Sequence, residues 1–354
     1  MLEHGIFETE MLDYKNNNFN ILRFFAAVLV ICGHMYHLLG LPVLMLGGQA
    51  VSTIGVEIFF LISGYLIMQS YTRDSNILRY TTRRFFRIIP GLVFLCIITV
   101  VVIGPIFTTL DTRTYFSSSS TWGYLRNILL FPVYSLPGVF EHNIYPNAVN
   151  GSLWTLVVEI GMYVVLPLAL FMGNKLKHQK IVLVCFAVTL ALSNSIINGF
   201  YPNTRMVIYG TSMADVLTLA PFFFVGVLFS FSEVKKHINL QLALILLGTV
   251  FVLQMSYAKT EILMLAALSY FIFSFALAPN PFFGKYFVKN DYSYGMYLYA
   301  FLVQQILASL FTQYNITFNI YLMMSIVISF VFAYLSWHLI EKPALDFCKR
   351  ILKR

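Results

Sequence analysis

One imidazole, two carboxylates and a cluster of arginines stand inside or at the edges of long apolar runs in this sequence. His34 lies on the first run, eleven residues after Arg23, with Glu57 on the second and Glu159 on the fourth. A charge near the middle of a membrane span costs roughly 2.5–3.5 kcal/mol, so each such group needs a partner, a wet cavity or a role. A neutral imidazole can take a proton from a hydroxyl or accept an acyl group itself, and a carboxylate beside it can orient it and stabilise its charged form. Arg84 and Arg87, one helical turn apart at the start of the third run, can grip one phosphorylated ligand together. With Arg83 they equally suit an anchor on lipid headgroups.

The elements that must position these groups are helices in a bilayer. The chain has 354 residues, 59% hydrophobic and 11% charged, too little polar surface to cover a water-soluble globule of this size. The apolar runs approach the ~20 residues of a membrane-crossing helix and far exceed barrel strands. The expected fold is therefore all-α: a polytopic bundle of about ten spans near 20–40, 52–70, 85–107, 153–172, 180–198, 212–231, 240–256, 260–277, 293–313 and 319–340. Residues 1–19 form a cytoplasmic N-terminal segment, 20–345 the transmembrane domain and 346–354 a basic cytoplasmic tail. The first run has no small-residue cleavage site behind it, so it reads as a retained helix. Two connectors exceed a turn: 71–84, which is basic, and 108–152, rich in Ser, Pro, Tyr and Asn. No repeat period is visible. Cys32, Cys96, Cys185 and Cys348 have no paired spacing and read as free thiols, and no metal-ligand pattern is present.

With both termini inside, 19 of the 23 Lys and Arg residues fall on the cytoplasmic side, leaving Arg113, Arg126, Arg205 and Lys259 outside. The net charge of +8 is this asymmetry plus contact with anionic lipid, and it implies no nucleic-acid partner. In this orientation Arg23 and His34 share one helical stripe, within about 20° and ~16.5 Å apart along the axis, the cation near the inner surface and the imidazole towards the outer one. Counted from the helix ends, Glu57 and Glu159 reach the depth of His34. Ser152, Thr155 and Tyr163 fall on the face of Glu159 by i, i+3 and i+4 spacing. Such polar groups can also be interhelical ties; three ionisable groups at one depth favour a site. His37 and His338 read as packed or interfacial. Arg23 keeps its proton and so is no base; it lines a donor channel or anchors a carboxylate such as Glu341.

Five motifs occur in order along the chain. They are Arg23 with His34 after a ten-residue gap, Gly55-Val56-Glu57-Ile58-Phe59-Phe60-Leu61-Ile62-Ser63-Gly64-Tyr65-Leu66-Ile67, Arg84-Phe85-Phe86-Arg87, Asn150-Gly151-Ser152-Leu153-Trp154 with Glu159, and Ile340-Glu341-Lys342-Pro343. Together, over residues 18 to 345, they resemble the acyltransferase 3 family of membrane O-acyltransferases, which modify bacterial surface polysaccharides and related glycans. The resemblance implies acetyl-CoA or another acyl-CoA as cytoplasmic donor, held by Arg84, Arg87 and Arg23. It implies a polysaccharide or lipid-linked glycan acceptor at the outer face, catalysis by His34 with Glu57 or Glu159, and substrate contacts from Ser63, Tyr65 and Trp154. It also implies a multi-pass protein of a bacterial inner membrane. The chain departs from the pattern at Ala300, where many members have His. No hydrolase-like domain follows the last helix, so acceptor chemistry is expected of the membrane part or of a separate protein. A transporter of a glycan precursor is the competing reading, and it predicts inverted repeats with broken helices in matching positions.

Overall fold

The computed structural model describes residues 17–200, 206–231, 237–256, 261–278, 290–314 and 317–352. Arg205, Lys259 and most of the N-terminal segment lie outside them. The helices are α1 (Phe19–Leu38), α2 (Val51–Arg73), α3 (Ile77–Ile98), α4 (Gly104–Phe107), α5 (Thr112–Ser117), α6 (Ser119–Gly123), α7 (Trp154–Lys175), α8 (Gln179–Phe200), α9 (Met213–Phe229), α10 (Leu240–Ser256), α11 (Glu261–Ala276), α12 (Ser293–Tyr314), α13 (Phe318–Ser336) and α14 (Lys342–Leu352). Each of the ten expected spans falls on one of them. Among the described residues five helices are long and apolar enough to cross a membrane: Phe19–Leu38, Val51–Arg73, Ile77–Phe107, Trp154–Lys175 and Phe318–Leu352. Four shorter apolar helices accompany them. The protein is a helical membrane bundle.

Two boundaries differ from expectation. α3 starts at Ile77, so the basic connector shrinks to residues 74–76. Hydropathy marks where a helix meets hydrocarbon, whereas nothing between Ile77 and Arg87 stops the helix from continuing outward. At the other end, α13 runs through one π-helical turn, Trp337–Glu341, into α14, so residues 346–352 are helical. Pro343 lacks the N–H that would bond the carbonyl of Leu339, and a wider turn absorbs the loss.

The chain divides into two compact units. The first comprises residues 1–26, 45–76 and 158–290. It contains a repeat that composition does not betray. Strands β1 (Met45–Leu46) and β2 (Gln49–Ala50) form a hairpin leading straight into α2, and β3 (Val207–Ile208) and β4 (Thr211–Ser212) form another leading into α9. Both two-residue turns have positive φ at both positions, at Gly47-Gly48 and Tyr209-Gly210, the geometry that matches strand twist.

Hairpin, helix start and helix contact all recur at one offset of 162 residues, Val51 matching Met213 and Gly64 matching Gly226. The contact is reciprocal. A Cβ on Gly64 would lie 1.9 Å from the Phe223 carbonyl oxygen, and one on Gly226 would lie 2.1 Å from that of Leu61, the residue equivalent to Phe223. Such an exchange of identical contacts is the mark of a local two-fold relation between α2 and α9. Without a hydrophobic drive between helices in lipid, close backbone approach is what holds such a pair. In sequence the copies share little beyond Gly48/Gly210, Phe60/Phe222, Gly64/Gly226 and Leu66/Leu228.

The second unit comprises residues 27–44, 77–157 and 291–354. Its organising element is α12. Gln304 donates to the Ile31 carbonyl of α1 at 2.8 Å, and Tyr321 of α13 donates to the Gln304 carbonyl at 2.8 Å. Gln305 donates to the carbonyls of Tyr145 and Ala148 at 2.9 and 2.7 Å, while Asn143 donates back to its side chain at 2.7 Å. Asn150 then reaches the Leu298 carbonyl at 3.0 Å. Between Gln305 and Leu298 the connector descends ~10 Å along α12 before α7 begins. It is re-entrant in the sense that it runs back along α12, and side chains of the protein bond its non-helical backbone at Tyr145 and Ala148.

The reciprocal contact makes a symmetric test. Gly64→Ala and Gly226→Ala each force the same two backbones apart, and each is expected to destabilise the protein by about 1–3 kcal/mol. Thermal unfolding in detergent should fall by similar amounts for both, whereas Gly161→Ala, with no atom within 4 Å of its added Cβ, should leave it unchanged.

Candidate functional site

In the first unit the α2 motif supplies Glu57, Ser63 and Tyr65. Glu57 is fully buried and accepts a long contact of 3.5 Å from Gln49 of β2. Ser63 donates to Glu159 of α7 at 3.0 Å, Tyr163 donates to the same carboxylate oxygen, and the two hydroxyls are 3.2 Å apart. The i, i+4 pairing of Glu159 with Tyr163 is the one its helical face implies. Glu159 therefore sits level with Ser63, six residues and ~9 Å further along α2 than Glu57, which corrects the expectation of a shared depth. That expectation took every helix to begin at one plane, but the re-entrant segment has already carried the chain inward before Trp154. Tyr65 is enclosed by the rings of Phe19 and Phe273, at 5.0 and 5.3 Å between centroids. Its ring fills the core.

The repeat separates what the scaffold needs from what it does not. At the positions equivalent to Glu57 and Ser63, the second copy carries Leu219 and Val225. Leu219 is buried at 2% exposure, so the repeated position takes an apolar side chain in one copy and a carboxylate in the other.

In the second unit His34 is half-buried on α1, one turn beyond the Ile31 carbonyl that Gln304 holds. Its ring meets Phe301 of α12 edge-on, centroids 5.4 Å apart. Its Nδ1 is buried and has no hydrogen-bond partner among the described residues. Phe301 also lies against Gly151 of the re-entrant segment, where a Cβ would come within 2.7 Å of the ring. Ser152, next in sequence, is buried with its Oγ likewise unpartnered among the described residues. The ring of His37 meets that of Tyr145 at a tilt, centroids 4.7 Å apart, and Trp154 is half-buried at the start of α7. The imidazole thus belongs to the second unit and both carboxylates to the first; Arg23 lies on the part of α1 that joins the first.

At the far end of α12, Arg87 pairs with Asp291 at 2.5 Å and with Glu341 at 3.6 Å, and Ser336 donates to Glu341 at 2.9 Å. Arg84, on the same helix, is half-buried. Among the described residues no group of three or more His, Cys, Asp and Glu side chains is placed to hold a metal ion. Sequence reasoning passed over Gln304, Gln305, Phe301 and Asp291. The adjacent glutamines in an otherwise apolar helix are the signal that could have found the first two.

A family model described as an acyltransferase domain matches residues 16–338. An O-acetyl transferase of Shigella phage Sf6 is 30% identical over 334 residues, covering 93% of this chain and 96% of the relative. Nodulation protein 10 of Rhizobium leguminosarum bv. viciae is 27% identical, covering 96% of this chain and 95% of the relative. The O-acetyltransferase OatA of Staphylococcus aureus is 25% identical over 87% of this chain, which spans 55% of that relative's length. No solved structure matches.

Gln305→Leu keeps the volume but strips its partners from two carbonyls and from Asn143. Each buried group left unpaired costs about 1–3 kcal/mol, so a clear drop in thermal stability is expected. Proteolysis of the 143–150 segment should accelerate in the variant and stay slow in the parent.

Proposed function

We propose, since the chain belongs to the acyltransferase 3 family, that it moves an acetyl group from cytoplasmic acetyl-CoA to a hydroxyl of a surface polysaccharide or lipid-linked glycan precursor at the outer face of a bacterial inner membrane. Family membership supports acyl transfer, and two relatives named as O-acetyl transferases support an acetyl group and a hydroxyl acceptor. The orientation rests on the 19 to 4 division of basic residues.

His34 carries the reading. Packing against Phe301 fixes its ring, Nδ1 is the buried nitrogen, and Nε2 is left as the edge that can meet a hydroxyl. In this scheme the acceptor O–H gives its proton to Nε2 as its oxygen attacks the thioester carbonyl. The C–S bond breaks, the thiolate leaves as coenzyme A and the proton returns from the imidazole to sulfur. Arg84 takes donor phosphate from the opposite end of the span. Glu57, fully buried on α2, and Glu159, which accepts from Ser63 and Tyr163, are the carboxylates this reading assigns to the chemistry.

The reading is tested with purified protein in lipid, following coenzyme A release from acetyl-CoA. His34→Ala is expected to lower turnover by roughly 10²–10⁴-fold, the range for removing a general base, with unchanged unfolding temperature. A folded variant that turns over like the parent would overturn the assignment.

A further inference from the structure

Arg84 and Arg87 are one turn apart, which suggests two equivalent ligands for one phosphorylated donor, but Arg87 is already engaged by acidic side chains. The Arg87 guanidinium faces two carboxylates, Asp291 at 2.5 Å and Glu341 at 3.6 Å, and all three side chains are largely buried, at 17%, 13% and 2% exposure. The rings of Tyr294 and Trp337 lie 5.5 and 6.0 Å from it. One cation against two carboxylates leaves no positive charge to offer a phosphate, and drawing the arginine away would strand buried acidic groups.

The pair also sits where it can act at a distance. Asp291 uses its other oxygen to accept from the N–H and hydroxyl of Ser293, so it closes the first turn of α12. Tyr294, on the same turn, donates to the Ile88 carbonyl of α3 at 2.7 Å. Glu341 brings in the π-helical turn after α13, and Gly295 of α12 approaches it so closely that a Cβ would lie 3.3 Å from its Oε1 and 2.8 Å from the Ala333 backbone. Three helices are thus pinned to the start of α12. Along the same rod, ~12–18 Å further, Phe301 bears on His34, Gln304 on the carbonyl one turn before it, and Gln305 on the re-entrant segment.

We propose that Arg87 is a positioning residue and not a donor ligand, locked by Asp291 and Glu341 to fix the axial placement of α12 and hence of His34, while Arg84 keeps the donor-phosphate role given it above. The two arginines divide the work: one holds substrate, the other holds the helix that sets the catalytic geometry. The kinetic arm rests on the acetyl-transfer reading above; the lock itself does not.

The test compares Arg84→Gln, Arg87→Gln, Asp291→Asn, the Arg87→Gln/Asp291→Asn double variant and the exchanged pair Arg87→Asp/Asp291→Arg, in full-length protein. Coenzyme A release gives kcat and KM for acetyl-CoA, and thermal unfolding is read without donor. Arg84→Gln should raise KM about tenfold with kcat largely kept. Arg87→Gln and Asp291→Asn should each lower kcat about tenfold with KM within about twofold, and the double variant should lose no more than either alone. The exchanged pair should regain unfolding temperature and part of kcat. If Arg87→Gln raises KM as Arg84→Gln does, and Asp291→Asn changes neither kinetic constant, Arg87 is a donor ligand and the proposal fails. Should the parent release no coenzyme A, the acetyl-transfer reading fails first, and additive losses of unfolding temperature in the double variant would then refute the lock by themselves.

Discussion

Hydrocarbon offers no hydrogen bonds, so each polar side chain on α12 must find its partner inside the protein. This constraint shapes the second unit. Gln304 and Gln305 are fully buried, and their amides are spent on backbone carbonyls of α1 and of the re-entrant segment. An apolar residue in place of Gln305 would take this partner from the carbonyls of Tyr145 and Ala148, which lie outside any helix. Because the connector runs back along α12, Gly151 comes to rest against the ring that also faces His34. The helix that bears the imidazole and the 143–150 connector are thus tied to the same pair of amides.

The first unit is held by a different device. α2 and α9 approach through glycines at equivalent positions of two hairpin-helix copies, and the contact consists of backbone atoms. Such a joint is indifferent to most side chains, which is why the copies could diverge almost completely. The divergence is informative. One copy carries Glu57 and Ser63 and the other Leu219 and Val225, so the shared backbone joint accepts polar and apolar residues alike at these positions.

Much of this was legible from residue types. The ten helices follow from apolar run lengths, and Tyr163 on Glu159 from helical spacing. The five ordered motifs pointed to the family that the matched domain bears out. What escaped shares one physical cause. The pairing of Arg87 with Asp291 spans 204 residues, and the hold of Gln305 on Asn143 spans 162; no local period reports such contacts. The repeat was hidden for the complementary reason, since its joint is made of backbone and asks of the sequence little more than a glycine in each copy. The start of α3 was misplaced because hydropathy registers lipid, while helices end only where backbone chemistry ends them.

The central claim is that donor and catalytic histidine engage opposite faces of one bundle. Its most direct test is a sided assay: protein reconstituted in one known orientation in sealed vesicles, with acetyl-CoA labelled in the acetyl group supplied to a single compartment. Label should be consumed only from the face that bears Arg84 and the end of α14, and His34→Ala should abolish that consumption. Equal use of acetyl-CoA from the face nearer His34 would contradict the account.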